Sequence, residues 1–241
     1  MKTKKLFSMF TTGILVTTLL VACSSKQSNI NSKQVQSVED VKTIAFMQLA
    51  NEKKEHIWYD LSDSNGDSEI SKDDSIYTIY ITRDGKVDTY FIQGELTLSD
   101  IKDKSNDEIK KLAKQQDEAT FDQKSKDFAT PKLNYTQLYP QYRNKPVNAT
   151  VKTDSTGNTA VEERIEFPTY SIDPDSGDVE VGSHDPNFTT TISGQIYDTH
   201  YVGYVDPEEF TGNDSFLVTA VSSDSVLIVF DTLDTKNVTE E

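Results

Sequence analysis

The chain has 241 residues, with 24 lysines and arginines against 40 aspartates and glutamates, which gives a formal net charge of −16. This length is enough for one large domain or two small ones with a hydrophobic core. The acidic charge argues against nucleic-acid binding, which needs a basic surface to displace counterions from phosphates. The single cysteine excludes a disulfide framework, a cysteine-based zinc site and an iron–sulfur cluster.

The N-terminus has the plan of a secretory signal peptide. Lys2, Lys4 and Lys5 form a short cationic segment, and residues 6–22 form an uncharged, largely apolar run. We therefore expect residues 1–22 to be a signal peptide.

The apolar run ends in Leu20-Val21-Ala22-Cys23, which resembles the lipobox of bacterial lipoproteins. The resemblance implies transfer of a diacylglyceryl group to the Cys23 thiol and cleavage between Ala22 and Cys23. Two acyl chains, with palmitate as the expected type, are enough for stable anchoring, whereas one chain binds only reversibly. We therefore expect a lipid anchor on the extracytoplasmic face of the cell membrane of a Gram-positive bacterium. The alternative is an ordinary cleaved signal peptide in which Cys23 is incidental.

The remaining chain divides into a tether and two units. Residues 23–38 are predicted to be the lipidated cysteine and a flexible tether, because the segment is rich in Ser, Gln and Asn and lacks aromatic residues. Beyond the tether there is no second apolar run of membrane-spanning length. We expect an α+β unit over residues 39–128 and a β-rich unit over residues 129–241.

The first unit begins with strand patterns. Residues 39–51 fit either a short helix or the start of a strand. Asp84-Gly85 is the typical sequence of a type I′ hairpin turn. Alternation and the clustering of aromatic and β-branched residues predict strands over residues 56–61, 75–82 and 86–92.

The loop between the first two strands, residues 63–74, resembles an EF-hand-type calcium loop. Calcium prefers oxygen ligands that converge from a tight loop. The candidate ligands are Asp63, Asn65, Asp67, Glu69 and Asp74. Two features depart from the EF-hand pattern, because Ser68 stands where a glycine is expected and Asp74 replaces a longer glutamate. We favour a solvated acidic loop between two strands, with the calcium site as the alternative.

A helix is predicted next, and its start is marked by Ser105 and Glu108, which have the spacing of a capping box.

Three motifs in this half of the chain resemble uncharacterised lipoproteins of lactic-acid bacteria and their relatives. They are Ile57-Trp58-Tyr59, Asp84-Gly85-Lys86-Val87, and Leu98-Ser99-Asp100-Ile101 ahead of Asp107-Glu108-Ile109. The resemblance covers roughly residues 40–125 and implies no particular activity.

A connector with three tyrosines, Tyr135, Tyr139 and Tyr142, leads into the second unit. These residues fit either a ligand platform or structural packing. The chain beyond them is expected to be wholly β, with strands over residues 147–153, 160–167, 189–205, 215–221 and 226–230.

Two of these strands carry finer expectations. The 189–205 strand is expected to bend at Gly194 or Gly203. Residues 226–230 are apolar on both faces, which is typical of a central strand. The predicted fold is therefore β-rich α+β, in which a small unit of a strand hairpin and a helix precedes an antiparallel β sandwich or barrel-like unit.

Residues 173–180 form a second acidic segment, with His184 and Asp185 close behind it. Two carboxylates and an imidazole can hold a divalent ion. Asp-Pro and Ser-Gly are also common turn sequences, and we favour a turn here.

The sequence contains no recognisable catalytic motif. His56, His184 and His200 do not have the spacing of a metalloprotease helix, and no serine lies in a nucleophile elbow. We therefore expect no catalytic residues and no cofactor, apart from the calcium alternative. The expected function is a non-catalytic binding or interaction module with an unknown protein or envelope partner. The alternatives are a solute- or calcium-binding surface module and a cell-envelope hydrolase. Residues 15–22 also resemble peptide pheromones that are released from lipoprotein signal peptides.

Overall fold

The computed structural model describes residues 42–93, 96–127, 131–207 and 214–241. The predicted signal peptide, the tether and Cys23 therefore lie outside the described residues. Strands account for 45% of the structure and helices for 20%, which confirms a β-rich α+β fold.

The described residues contain fourteen strands and four short or medium α-helices. The strands are β1 (Lys42–Ile44), β2 (His56–Ser62), β3 (Ser75–Arg83), β4 (Lys86–Phe91), β5 (Arg143–Pro146), β6 (Asn148–Thr153), β7 (Ala160–Ile172), β8 (Val179–His184), β9 (Asn187–Phe188), β10 (Thr190–Ile196), β11 (Thr199–Asp206), β12 (Ser215–Val221), β13 (Val226–Ile228) and β14 (Val238–Glu240). The helices are α1 (Phe46–Ala50), α2 (Leu98–Ile101), α3 (Asn106–Asp127) and α4 (Tyr135–Leu138), and a 3₁₀ turn follows at Tyr139–Gln141.

The largest layer is a seven-stranded sheet in the order β10-β11-β12-β2-β3-β4-β5, in which every neighbouring pair is antiparallel. We call it the central sheet. It takes β2 to β4 from the range predicted as the first unit and the other four strands from the second. The boundary between these ranges, at residues 128 and 129, lies outside the described residues.

A second sheet has the order β14-β6-β7-β8, and β9 adds to β7. Its β14–β6 pair is parallel, and its other pairs are antiparallel. A short parallel pair of β1 and β13 completes the strands of the described residues. Neither sheet closes into a barrel within this part of the chain.

The two faces of the central sheet pack against different layers, because side chains alternate along a strand. On β2, Trp58 is buried in a cluster with residues of the second sheet and α1. Its neighbours Ile57 and Tyr59 belong to a different cluster, which contains Leu98 of α2 and Ile109 of α3. The central sheet therefore lies between the second sheet and a helical layer.

Two local predictions are confirmed. Asp84 and Gly85 have φ values of 54° and 74°, and two successive positive values are what a type I′ turn requires. Ser105 and Glu108 form the capping box, because the Ser105 amide donates to Glu108 Oε2 at 2.8 Å and the Glu108 amide donates to Ser105 Oγ at 3.4 Å.

Two strand predictions were wrong. The 189–205 range does not bend at a glycine but forms two antiparallel strands, β10 and β11, joined at Tyr197-Asp198 with Tyr197 at φ 53°. The 226–230 range is not a central strand, because β13 pairs with β1 alone among the described strands, and Leu227 and Val229 are 48% and 43% exposed. In both ranges the apolar residues predict a strand correctly, but their pattern does not determine where the strand ends or which strand pairs with it.

Candidate ligand-binding site

A cleft of about 380 Å³ lies between the central sheet and the second sheet. We call it the intersheet cleft. Its floor on the central sheet is lined by Asp60, Ser62, Tyr80, Asp206, Ser215 and Leu217. Phe167, His184, Pro186 and Phe188 line the opposite wall, and Tyr77 and Asp214 complete the lining.

Strand register explains why polar groups gather on this floor. Asp60 is two residues beyond the buried Trp58 on β2, so the two side chains share a face. Asp60 is paired with Leu217 of β12, and Ser215 of β12 lies between Ser62 and Asp206. The face that is apolar in the middle of the sheet therefore becomes polar at this end.

Aromatic side chains form the inner part of the cleft. Tyr80 stacks on Phe167 across the two sheets, with ring centroids 3.9 Å apart and an interplanar angle of 21°. Phe188 is also buried, and its ring lies 5.2 Å from that of Tyr204. These contacts fix the aromatic wall, because each ring is held by a partner from the other sheet.

Tyr77 reaches the cleft lining because of a β-bulge in β3. The pairing of β2 with β3 shifts between Asp60 and Leu61, so that Asp60 pairs with Thr78 and Leu61 pairs with Ile76. Tyr77 is the extra residue of this bulge, and its side chain is 56% exposed. The bulge therefore adds an exposed aromatic ring to the polar groups and buried aromatic rings that line the cleft.

The electrostatic character of the cleft is acidic. Asp60, Asp206 and Asp214 are all half-buried, and none of the described residues that line the cleft is a lysine or arginine. Burial raises the pKa of the Tyr80 hydroxyl well above its usual range, and the nearby charge of Asp60 raises it further. Asp214 also accepts a hydrogen bond from Ser68 Oγ at 3.0 Å, which joins the cleft to the 63–74 loop.

The acidic residues of the cleft are not arranged as a metal centre. Within the described ranges, no group of three or more His, Cys, Asp or Glu side chains is placed to hold a metal ion. Asp60 and Asp206 lie on strands separated by β12, so their backbones are two strand spacings, about 10 Å, apart.

In the 63–74 loop, the two buried carboxylates bind backbone amides. Asp63 accepts hydrogen bonds from the amides of Gly66 at 2.7 Å and Ser68 at 2.8 Å. Asp74 accepts from the amides of Ser71 at 2.7 Å and Ser64 at 3.3 Å, and burial raises the pKa of its carboxyl group. These bonds hold the turns of the loop together.

The other three candidate calcium ligands are exposed. Asn65 Oδ1 accepts from the Asp67 amide at 3.2 Å, and Asp67 Oδ1 accepts from the Glu69 amide at 2.9 Å. Ser68 has φ 58°, so it adopts the left-handed conformation for which an EF-hand loop uses glycine. The loop thus shares a turn with the EF-hand, and calcium binding stays the alternative to a solvated acidic loop.

Within the 173–180 segment, residues 173–178 form the turn between β7 and β8, as favoured from the sequence, and β8 begins at Val179. Asp173 accepts hydrogen bonds from the amides of Ser176 at 2.6 Å and Asp175 at 3.1 Å. These bonds, that from Ser176 first, lower the pKa of the Asp173 carboxyl group. His184 lies at the end of β8 and lines the intersheet cleft, whereas Asp185 is exposed.

The three tyrosines of the connector surround a buried ion pair between Arg143 and Asp117. Asp117 Oδ2 accepts hydrogen bonds from the hydroxyls of Tyr135 and Tyr142, each at 2.8 Å, and from Arg143 Nη2. The Arg143 guanidinium also lies 4.6 Å from the ring centre of Tyr139. This arrangement agrees with structural packing for the three tyrosines.

The three histidines lie on different strands. His56 is at the start of β2 and bonds Glu52 at 2.8 Å, whereas His200 is on β11 and pairs with Gln195 of β10 in the sheet. Of the three, only His184 lines the intersheet cleft.

Sequence reasoning missed the carboxylates of the cleft. The sequence gives one signal for Asp60, because this residue places a charge on the face of β2 on which Trp58 is buried. Asp206 and Asp214 gave none, since their proximity to Asp60 depends on the pairing of β11, β12 and β2.

Comparison with models of protein families, with curated proteins and with solved structures found no match. Among the described residues, no helix is long and apolar enough to cross a membrane.

Proposed function

We propose that this chain is a lipid-anchored extracytoplasmic binding module that holds a small organic ligand in the intersheet cleft without catalysing a reaction. The observation that carries the binding role is the cleft itself. Its volume of about 380 Å³ falls in the range of small-molecule sites, which are typically 300–1,000 Å³. Its combination of fixed aromatic rings and a few half-buried polar groups is also typical of such sites.

The anchoring role is supported by the sequence of the N-terminus. Cys23 follows an apolar run that ends in Ala22, as in lipoprotein signal peptides. The composition of residues 24–38 predicts a tether between this cysteine and the folded part of the chain. A module on such a tether would meet its ligand close to the outer surface of the membrane.

Replacement of the cysteine tests the anchor. We expect Cys23→Ala to abolish labelling by a fatty-acid analogue and to release the protein to the medium. Incorporation of the label into the variant would contradict the proposal, because no other thiol is present in the chain.

Occlusion of the cleft tests the binding role. Ser215→Tyr places a large side chain on the cleft floor, whereas Ala220→Tyr adds the same side chain at an exposed position of the same strand. A fragment set with cationic, neutral and anionic members is screened by ligand-observed NMR against the full-length protein in detergent. We expect some fragments to bind the wild type and Ala220→Tyr but not Ser215→Tyr. If no fragment distinguishes Ser215→Tyr from the wild type, the cleft is not a binding site.

A further inference from the structure

We infer that the ligand of the intersheet cleft is a carbohydrate, whose hydroxyl groups bind the polar floor and whose sugar ring lies against the Tyr77 side chain. This inference rests on the proposed function, because it names the chemical class of the ligand that the same cleft would bind. Three features of the cleft support it: a row of polar side chains across the floor, the acceptor chemistry of those groups, and an exposed aromatic ring in the lining.

The cleft floor carries a row of polar side chains across three neighbouring strands. Ser215 of β12 is paired with Ser62 of β2 on one side and with Asp206 of β11 on the other. All three residues line the cleft, and because neighbouring strands lie about 4.8 Å apart, the row is about 10 Å long. A ligand with a single polar group would meet one position of this row. A ligand with hydroxyl groups distributed along its length would meet every position.

The hydrogen-bonding chemistry of the lining matches hydroxyl groups. The hydroxyls of Ser62 and Ser215 can both donate and accept, as the hydroxyls of a sugar do. A carboxylate has about four acceptor positions, so Asp214, which accepts from Ser68 Oγ at 3.0 Å, has capacity for a ligand hydroxyl in addition to this bond. Hydrogen bonds to a charged acceptor are roughly twice as strong as those between neutral groups. A wholly apolar ligand would instead cover the two serine hydroxyls without offering them a hydrogen bond, which is unfavourable.

Tyr77 provides an aromatic surface that is open to solvent. It is the extra residue of the bulge in β3, and bulges beside functional sites commonly re-aim a side chain. The face of an aromatic ring is electronegative, so it attracts the slightly positive C–H groups on the apolar face of a sugar ring. Tyr80, Phe167 and Phe188 add buried apolar surface in the inner part of the cleft. The lining therefore complements both surfaces of a sugar, the hydroxyl groups at its edge and its apolar face.

A panel of di- and trisaccharides tests the carbohydrate class. The sugars are built from hexoses, N-acetylhexosamines, amino sugars and uronic acids. Each is added to the full-length protein in a polyoxyethylene detergent, which has no sugar headgroup, and binding is detected by saturation-transfer NMR. We expect at least one sugar to bind the wild type and Ala220→Tyr but not Ser215→Tyr. Its ring C–H protons should receive the strongest saturation, because they contact the tyrosine ring.

Substitutions of Tyr77 test the contact with the sugar ring. Tyr77→Ala removes the aromatic ring and should weaken the affinity for that sugar by about three- to tenfold, as measured by calorimetry. Tyr77→Phe keeps the ring and should retain the affinity. Tyr197→Ala is the matched control, because Tyr197 is also exposed but lies at the turn between β10 and β11, outside the cleft lining. It should leave the affinity unchanged.

A smaller change of the floor complements Ser215→Tyr, which introduces a large side chain. Ser62→Ala removes one hydroxyl from the polar row and should weaken sugar binding several-fold. Ser193→Ala removes the same group from an exposed position on β10 and should have no effect. The melting temperatures of all variants are measured before their affinities are compared, and Tyr77→Ala and Ser62→Ala decide the question if Ser215→Tyr does not fold.

The outcomes separate this inference from the proposed function. If fragments bind in a manner that Ser215→Tyr abolishes but no sugar of the panel does, the ligand is not a carbohydrate, although the cleft remains a binding site. If a sugar binds and neither Tyr77→Ala nor Ser62→Ala changes its affinity, the inference is overturned because the sugar binds elsewhere. If neither a sugar nor a fragment is sensitive to Ser215→Tyr, both proposals are overturned.

Discussion

Glu163 and Asp231 lie side by side in the interior, with side chains that are 0% and 1% exposed. The Asp231 amide donates to Glu163 Oε2 at 2.9 Å, and the Asp231 carboxylate accepts from the amides of Met47 and Gln48 at the start of α1. Burial raises the pKa of Glu163 well above its usual range, and the neighbouring Asp231 charge raises it further. Burial also raises the pKa of Asp231. Folding therefore favours the protonated form of this pair.

The raised pKa values of Glu163 and Asp231 predict that the free energy of unfolding decreases as the pH rises. The unfolded chain titrates Glu163 near pH 4.3, whereas the folded protein keeps the proton to higher pH. The contribution to stability is thus complete below the unfolded pKa and is lost as pH rises through the folded pKa. Glu163→Gln stays neutral at every pH, so its free energy of unfolding should fall less than that of the wild type between pH 5 and pH 8. Urea unfolding followed by the fluorescence of Trp58 measures both.

An exposed glutamate on the same strand provides the control. Glu166→Gln removes the same type of charge from β7 at a position that faces solvent. Its pH dependence is expected to follow the wild type. An equal slope for Glu163→Gln and the wild type would contradict the assignment of a buried proton to this pair.

The Arg143–Asp117 ion pair predicts a large cost for removing one partner. Asp117→Asn would leave the buried guanidinium without a counter-charge, and the loss of one partner of such a pair typically costs about 3–5 kcal/mol. Chemical denaturation should therefore show a strongly lowered free energy of unfolding. The exposed Lys132–Asp178 pair serves for comparison, and Asp178→Asn should have a far smaller effect because water screens that pair. Similar losses in the two variants would refute the structural role of the buried pair.

Local signals in the sequence predicted a substantial part of the fold. Asp84-Gly85 and the Ser105–Glu108 box fix their own geometry through nearby backbone atoms, and both appear where they were expected. The β10–β11 turn at Tyr197 carries no such signal, because its first residue is a tyrosine at positive φ rather than a glycine or asparagine. Local chemistry therefore predicts elements well where the turn residues themselves prefer the required conformation.

The candidate site depends on distant pairing, which the sequence does not encode locally. Asp60 and Asp214 are brought to one cleft because β12 pairs with β2, although these strands are more than a hundred residues apart. The same limit explains the error at residues 226–230. Two-sided apolarity predicts burial, but Leu227 remains half exposed because β13 has one neighbouring strand among the described residues.

The close approach of β11 to β12 predicts that Gly203 tolerates no side chain. A Cβ added there would lie 2.0 Å from the carbonyl oxygen of Leu217, which is backbone and cannot rotate away. We expect Gly203→Ala to lower the free energy of unfolding by about 3 kcal/mol or more, as measured by denaturation. Gly182→Ala is the matched control, since nothing lies within 4 Å of a Cβ added on the exposed strand β8. It should be neutral or stabilising by about 0.5 kcal/mol. If Gly203→Ala is as stable as Gly182→Ala, the two strands are not in this close contact.

The 63–74 loop predicts separate roles for two of its aspartates. Asp63→Ala removes the acceptor for two backbone amides and should cost about 2 kcal/mol with or without calcium. Because both buried carboxylates already bind amides, we expect the melting temperature of the wild type to be the same in excess calcium and in EDTA. Asp67→Asn removes the charge of an exposed candidate ligand and keeps an oxygen acceptor for the Glu69 amide, so it should leave stability nearly unchanged. A calcium-dependent rise in melting temperature that Asp67→Asn reduces would instead establish the loop as a calcium site, since a bound ion stabilises only the folded state.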